Sequence, residues 1–118
     1  MTDKLKNLLR EKAEELEWRV LIEEDCWELQ KYSPAGEDFW LSISGNDVVS
    51  ELLEWYEGFD TEEHVMMHME AKKHGLGGVP SLKVLVEDAD AIDEMLEELY
   101  DALHKVEEEY YEGGGTDG

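Results

Sequence analysis

An apolar repeat in the last third of the chain is the feature that most constrains its fold. Apolar side chains recur there at alternating steps of four and three residues: Ile92, Leu96, Leu99, Leu103, Val106 and Tyr110. This spacing places them on one side of an α-helix, and such a face is stable only when other elements cover it. We predict a helical region over about residues 82–112. The pattern leaves open whether it is one helix or two that break near residues 88–90.

The first half of the chain changes from a helical to a strand pattern. Residues 2–17 have helical apolar spacing and a capping residue at Thr2 or Asp3. Apolar and polar side chains then alternate over residues 26–33 and 39–44, after an apolar run at 18–24. Short turn sequences separate the three runs, so we predict a three-stranded antiparallel meander.

Two further helices are expected between the strands and the last helical region. They cover about residues 47–58 and 61–74, and the first has a predicted core stripe of Val48, Leu52, Trp55 and Phe59. Asp60 followed by Glu63 resembles a capping box at the start of the second. The predicted fold class is therefore α+β, in the order α-β-β-β-α-α-α, with a single compact domain over residues 1–112 and a flexible glycine-rich tail over residues 113–118.

Charge excludes several classes of function. The 118 residues carry a formal net charge of −22. Direct binding of DNA, RNA or an anionic membrane needs clustered Lys and Arg, and a chain this acidic repels all three. The single cysteine, Cys26, cannot form an intrachain disulfide, and no apolar run has the length of a signal peptide or a membrane span. We expect a cytoplasmic protein.

The negative charge is concentrated in the helical half. Residues 1–44 carry eleven acids and six bases, whereas residues 45–118 carry twenty-one acids and four bases. Carboxylates form a row opposite the apolar repeat of the last helix, and a shorter row on the predicted helix over about residues 47–58. The predicted partner-binding acids are Asp90, Glu94, Glu97, Asp101 and Glu108, supported by Asp47, Glu51 and Glu54.

The acidic rows have two explanations. Like charges one turn apart destabilise a helix by roughly 0.2–0.5 kcal/mol per pair, so a functional row accepts a cost that an ordinary solvated face avoids. The other explanation is solubility, for which a net charge of magnitude roughly 2–8 is sufficient in a small domain. The excess and its uneven placement favour a binding role for part of this charge.

Several aromatic side chains do not fit a single core face. Trp40 alternates with Phe39 and Leu41 and is predicted to point outward. Four tyrosines lie among carboxylates: Tyr56, Tyr100, Tyr110 and Tyr111. Aromatic rings beside carboxylates suit an Arg-rich partner, through cation–π contacts and ion pairs together. We therefore include Trp40 among the candidate partner-binding residues.

Catalytic and metal motifs are weak. His64 and His68 are four residues apart on one helix, a spacing that lets two imidazoles share a metal, but the Glu of a metalloprotease motif is absent at Val65. No calcium loop or phosphate loop is complete. We assign no cofactor, no catalytic residue and no metal site, with His64 and His68 as the weak candidates for one, and expect a protein that is not an enzyme.

One segment resembles a known group of proteins. The stretch Tyr32-Ser33-Pro34-Ala35-Gly36-Glu37-Asp38-Phe39, followed by an acidic helical half with Val79-Pro80-Ser81, resembles small acidic bacterial proteins of gut Firmicutes, their phages and mobile elements. The likeness covers about residues 25–105 and carries no catalytic residues. In size and charge the chain is also similar to DNA-mimic anti-restriction and anti-CRISPR proteins, although no diagnostic motif is shared.

These observations lead to two functional hypotheses. The first is an acidic protein-binding module that mimics DNA and inhibits a basic nucleic-acid-binding protein, such as a nuclease, a repressor or a CRISPR effector. The second is a structural or regulatory protein that dimerises through the apolar repeat of its last helix. A monomer and a homodimer are both compatible with the sequence.

Overall fold

The computed structural model describes residues 2–34, 36–73 and 82–113, with no side chains described at positions 68–73. Seven elements follow one another: α1 Asp3–Glu15, β1 Arg19–Glu23, β2 Cys26–Tyr32, β3 Asp38–Ser44, α2 Val48–Gly58, α3 Thr61–Lys73 and α4 Leu82–Glu112. The predicted α+β class and element order are confirmed. The predicted tail beyond Gly113 and the Val79-Pro80-Ser81 segment lie outside the described residues.

The strands form an antiparallel meander in the order β1-β2-β3. Glu24 and Gly36 adopt left-handed backbone conformations, with φ of 50° and 88°, at the two turns that reverse the chain. Because successive side chains of a strand point to opposite faces, Trp27, Leu29 and Leu41 all lie on the same buried face of the sheet. The helices cover this face, and the opposite face of the sheet is open to solvent.

Helix α4 is the central helix of the protein. It runs unbroken for 31 residues and packs against α1, α2 and α3. Its apolar repeat is buried in the same hydrophobic cluster as Trp27 and Leu29 of the sheet: Ile92, Leu96, Leu99 and Leu103 have no exposed surface. Residues 82–112 therefore form one helix and not two. Because its own chain buries this repeat, a dimer through it would require the core to open.

One aromatic residue differs from its predicted position, and a second had been assigned in two ways. Trp55 was predicted in the core stripe of α2 and is 39% exposed. That prediction is wrong because α2 buries Val48, Val49 and Leu52, which turns Trp55 away from the core and toward α3. Tyr110 was also counted among the aromatics that fit no single core face, but it is only 7% exposed, as its place in the apolar repeat predicted. Its hydroxyl shares a 2.7 Å hydrogen bond with the hydroxyl of Thr2, the N-cap residue of α1.

Candidate functional site

The outward side of α4 carries the strongest candidate surface. Five predicted acids are all exposed there and define the α4 acidic face: Asp90, Glu94, Glu97, Asp101 and Glu108. At about 100° per residue they lie within one narrow arc opposite the buried repeat, and at 1.5 Å per residue the row from first to last is about 27 Å long. A single continuous helix therefore carries five exposed carboxylates in one row.

Few positive charges interrupt the α4 acidic face. Three further exposed acids, Glu87, Glu98 and Glu112, lie at its margins, and Lys105 is the only base between residues 87 and 112. His104 Nε2 approaches Glu108 Oε1 at 3.4 Å, an exposed contact one turn apart. The surface is therefore an extended patch of negative potential.

Aromatic rings border the α4 acidic face where α2 meets α4. The rings of Tyr56 and Tyr100 are nearly parallel, with centroids 6.3 Å apart, and the His104 ring lies 5.5 Å beyond Tyr100. Partial burial, the charges of Glu97 and Asp93, and a hydrogen bond with the Glu97 carboxylate raise the pKa of Tyr56 above its ordinary value. Stacked rings beside carboxylates form a surface suited to a guanidinium group.

The raised pKa of Tyr56 predicts a pH effect at the alkaline end. The folded protein keeps this hydroxyl protonated to higher pH than the unfolded chain does. The contribution of Tyr56 to the free energy of unfolding is therefore complete below the ordinary pKa of 10.0, and it falls as the pH rises above that value. Titrated by tyrosinate absorbance, Tyr56→Phe is expected to lose a component that ionises above pH 10 in the wild type. The control Tyr32→Phe, on the open face of the sheet, should retain it; loss of the same component in both variants would contradict the assignment.

The supporting acids of α2 are not equivalent to those of α4. The Glu51 carboxylate accepts a hydrogen bond of 2.9 Å from the Ser44 backbone N–H, which ties the end of β3 to α2. Glu54 lines a groove between α2 and α3 together with Trp55 and His64. Asp47 is exposed at the N-terminus of α2 and makes no side-chain capping bond. The structure therefore does not extend the α4 acidic face through Glu51, whose carboxylate has a structural partner.

Trp40 lies on a different surface from the α4 acidic face. It is 59% exposed, as the alternation of β3 predicted, and pairs across the sheet with Gln30 of β2. Tyr32, also 59% exposed, occupies the same open face. Since the sheet and core lie between Trp40 and the outward side of α4, one flat partner surface cannot contact both.

The sequence did not predict a polar cluster around His64. His64 Nε2 lies 3.0 Å from Glu37 Oε2, and one ligand atom from each of Glu37, His64 and Asp88 fits within 4.8 Å of the others. The side chain of His68, the predicted companion of His64, lies outside the described residues. One feature of the sequence could have indicated this cluster: Asp88, four residues before Ile92, places a carboxylate on the buried side of α4.

Comparisons of the chain with protein-family models, with curated proteins and with solved structures find no match in any of the three. In the part of the chain that the structure describes, no helix is both long and apolar enough to cross a membrane.

Proposed function

We propose that this chain is a non-enzymatic, acidic protein-binding module, and that the α4 acidic face takes the place of a DNA backbone in the groove of a basic nucleic-acid-binding protein. One observation carries the proposal: a single continuous helix displays five exposed carboxylates in a row about 27 Å long. The target class is a nuclease, a repressor or a CRISPR effector, which places the interaction in the cytoplasm.

The spacing of the carboxylates supports the comparison with DNA, at a lower charge density. Successive acids of the α4 acidic face are three to seven residues apart, hence about 4.5–10.5 Å along the axis, whereas one DNA strand carries a phosphate every ~3.4 Å. Glu87, Glu98 and Glu112 at the margins of this face add negative charge and bring its charge density closer to that of DNA. The elongated shape, 55 × 25 × 22 Å, also gives the protein a cross-section comparable with that of a duplex.

The aromatic border adds specificity to the charge. An Arg side chain that pairs with Glu97 or Asp101 can also contact the ring pair of Tyr56 and Tyr100, since both acids lie close enough to act on the Tyr56 hydroxyl. Such a site favours Arg over Lys, because the planar guanidinium both stacks and forms paired hydrogen bonds. An interface of this kind should associate rapidly at low salt and weaken steeply as salt rises.

Capture from a bacterial lysate tests the proposal. The full chain is immobilised, the lysate is treated with nuclease, and bound proteins are eluted with duplex DNA; NaCl of equal ionic strength is the control eluent. We expect duplex DNA to release basic nucleic-acid-binding proteins that the control eluent leaves bound. The proposal is wrong if duplex DNA releases no such protein, or if the bound proteins are indifferent to it.

A further inference from the structure

Three potential metal ligands from distant parts of the chain meet beside the first turns of α3. Glu37 comes from the turn between β2 and β3, His64 from α3 and Asp88 from α4. One carboxylate oxygen of each acid and one ring nitrogen of His64 lie within 4.8 Å of one another. The tertiary fold brings these residues together, since Glu37 and His64 are 27 positions apart in the sequence.

Backbone contacts or packing hold each of the three residues in place. The Glu37 backbone N–H donates to the hydroxyl of buried Ser33 at 3.0 Å. His64 follows the capping residue Asp60, and its ring packs against Phe59 with centroids 5.5 Å apart. Asp88 is 6% exposed, on the same side of α4 as buried Leu85. The arrangement is therefore largely formed before any ligand binds.

The geometry suits a small divalent ion. Ligand atoms bound tetrahedrally to one zinc ion at about 2.0–2.2 Å stand roughly 3.3–3.6 Å apart. His64 Nε2 and Glu37 Oε2 are hydrogen-bonded at 3.0 Å, so an ion would replace the shared proton and the two atoms would move apart by a few tenths of an ångström. The 4.8 Å limit on the cluster requires only a small movement of the third ligand. The His64 and Glu37 side chains remain 15% and 28% exposed, so an ion can reach them from solvent.

The set of donors selects the kind of ion. Magnesium and calcium prefer all-oxygen ligands, whereas an imidazole with carboxylates suits zinc and its first-row neighbours. Three protein ligands would leave a fourth position for water. From the convergence of Glu37, His64 and Asp88 we infer that this protein binds one zinc-type divalent ion, which joins the β2–β3 turn to α3 and α4.

The site is independent of the α4 acidic face, and its effect is on stability. An ion that binds only the folded chain stabilises it in proportion to the logarithm of its concentration over Kd. At 100-fold excess over Kd, we expect zinc to raise the Tm of the chelator-treated full chain by about 5 °C or more. Millimolar magnesium is present throughout to occupy the surface carboxylates.

Equilibrium dialysis with elemental analysis gives the stoichiometry under the same conditions. We expect one zinc ion per wild-type chain, and at least about ten-fold weaker binding in Glu37→Gln and His64→Gln. His104→Gln is the matched control, because His104 lies beside Glu108 on the exposed side of α4 and should keep full zinc binding. Asp88→Asn tests the third ligand in the same way. If that variant fails to fold because Asp88 is buried, Glu37→Gln still tests the site.

Two outcomes would overturn the site. The first is zinc binding in His64→Gln and Glu37→Gln equal to that of the wild type, which would assign the metal to surface carboxylates. The second is a wild-type chain that retains no zinc above the background and shows no change in Tm. Glu37, His64 and Asp88 would then form a hydrogen-bonded cluster without a metal.

Discussion

Neutralising four carboxylates of the α4 acidic face is expected to weaken binding of the captured basic partner by on the order of 100- to 1000-fold. The substitutions are Asp90→Asn, Glu94→Gln, Asp101→Asn and Glu108→Gln. Each removes one contact to a cation, and a loss of about 1 kcal/mol per contact accumulates to this factor. Glu97 is left intact because its carboxylate is hydrogen-bonded to Tyr56. Kd is measured by titration of the purified partner at fixed salt.

The same variant should be as stable as the wild type or more stable. Asp90 and Glu94 are one turn apart, as are Glu97 and Asp101, and like charges at this spacing destabilise a helix by roughly 0.2–0.5 kcal/mol per pair. Relief of these repulsions should raise the free energy of unfolding by about 1 kcal/mol or less. A loss of binding with unchanged or higher stability therefore cannot come from unfolding.

A control variant separates the position of the charges from their number. Four exposed acids of the first half of the chain are replaced by Gln: Glu11, Glu15, Glu23 and Glu28. Both variants lose four negative charges, but the control leaves α4 untouched, so its Kd should change by only a few fold. Equal weakening in the two variants, or full binding by the α4 variant, would show that the α4 acidic face is not the interface.

Leu99→Ala is expected to lower the free energy of unfolding by about 2–5 kcal/mol, one of the largest effects available to a single substitution in this chain. Leu99 has no exposed surface and belongs to the cluster that joins α4 to α1, α2 and the sheet. Removal of its branched end leaves a cavity that the surrounding helices can fill only in part. In a domain of this size the change should lower Tm by about 10 °C or more.

Urea and thermal unfolding followed by circular dichroism measure this effect. Val86→Ala is the matched control on the same helix, since Val86 is 44% exposed and its truncation should cost well under 1 kcal/mol. A loss of less than about 1 kcal/mol for Leu99→Ala would contradict the central position of α4 in the core.

The sequence predicted those features that depend on local periodicity. The step of four and three residues located the buried side of α4, and with it the exposed side that carries Asp90 and Glu94. Strand alternation likewise placed Leu41 inside and Trp40 outside. In each case a repeating pattern several residues long decided the face, which is why these predictions are confirmed.

Features that depend on how elements pack were not predictable in this way. The apolar pattern of α2 allows either Trp55 or Val49 to lie on its buried side. The direction from which the neighbouring elements pack against α2 determines that Val49 is buried. The hydrogen bond that occupies Glu51 depends on where β3 ends. The cluster of Glu37, His64 and Asp88 arises from three separate segments, so no sequence spacing indicates it.

The most direct test of the proposed DNA-mimic function is displacement of DNA from the captured partner. A fluorescent duplex is first bound to the purified partner, and the full chain is then titrated in at constant salt while fluorescence polarisation is recorded. If the α4 acidic face occupies the DNA-binding groove, the wild-type chain releases the duplex completely, and the four-site α4 variant does so only at concentrations on the order of 100-fold higher or more. A ternary complex, in which the partner holds both the duplex and this chain, would contradict the central claim.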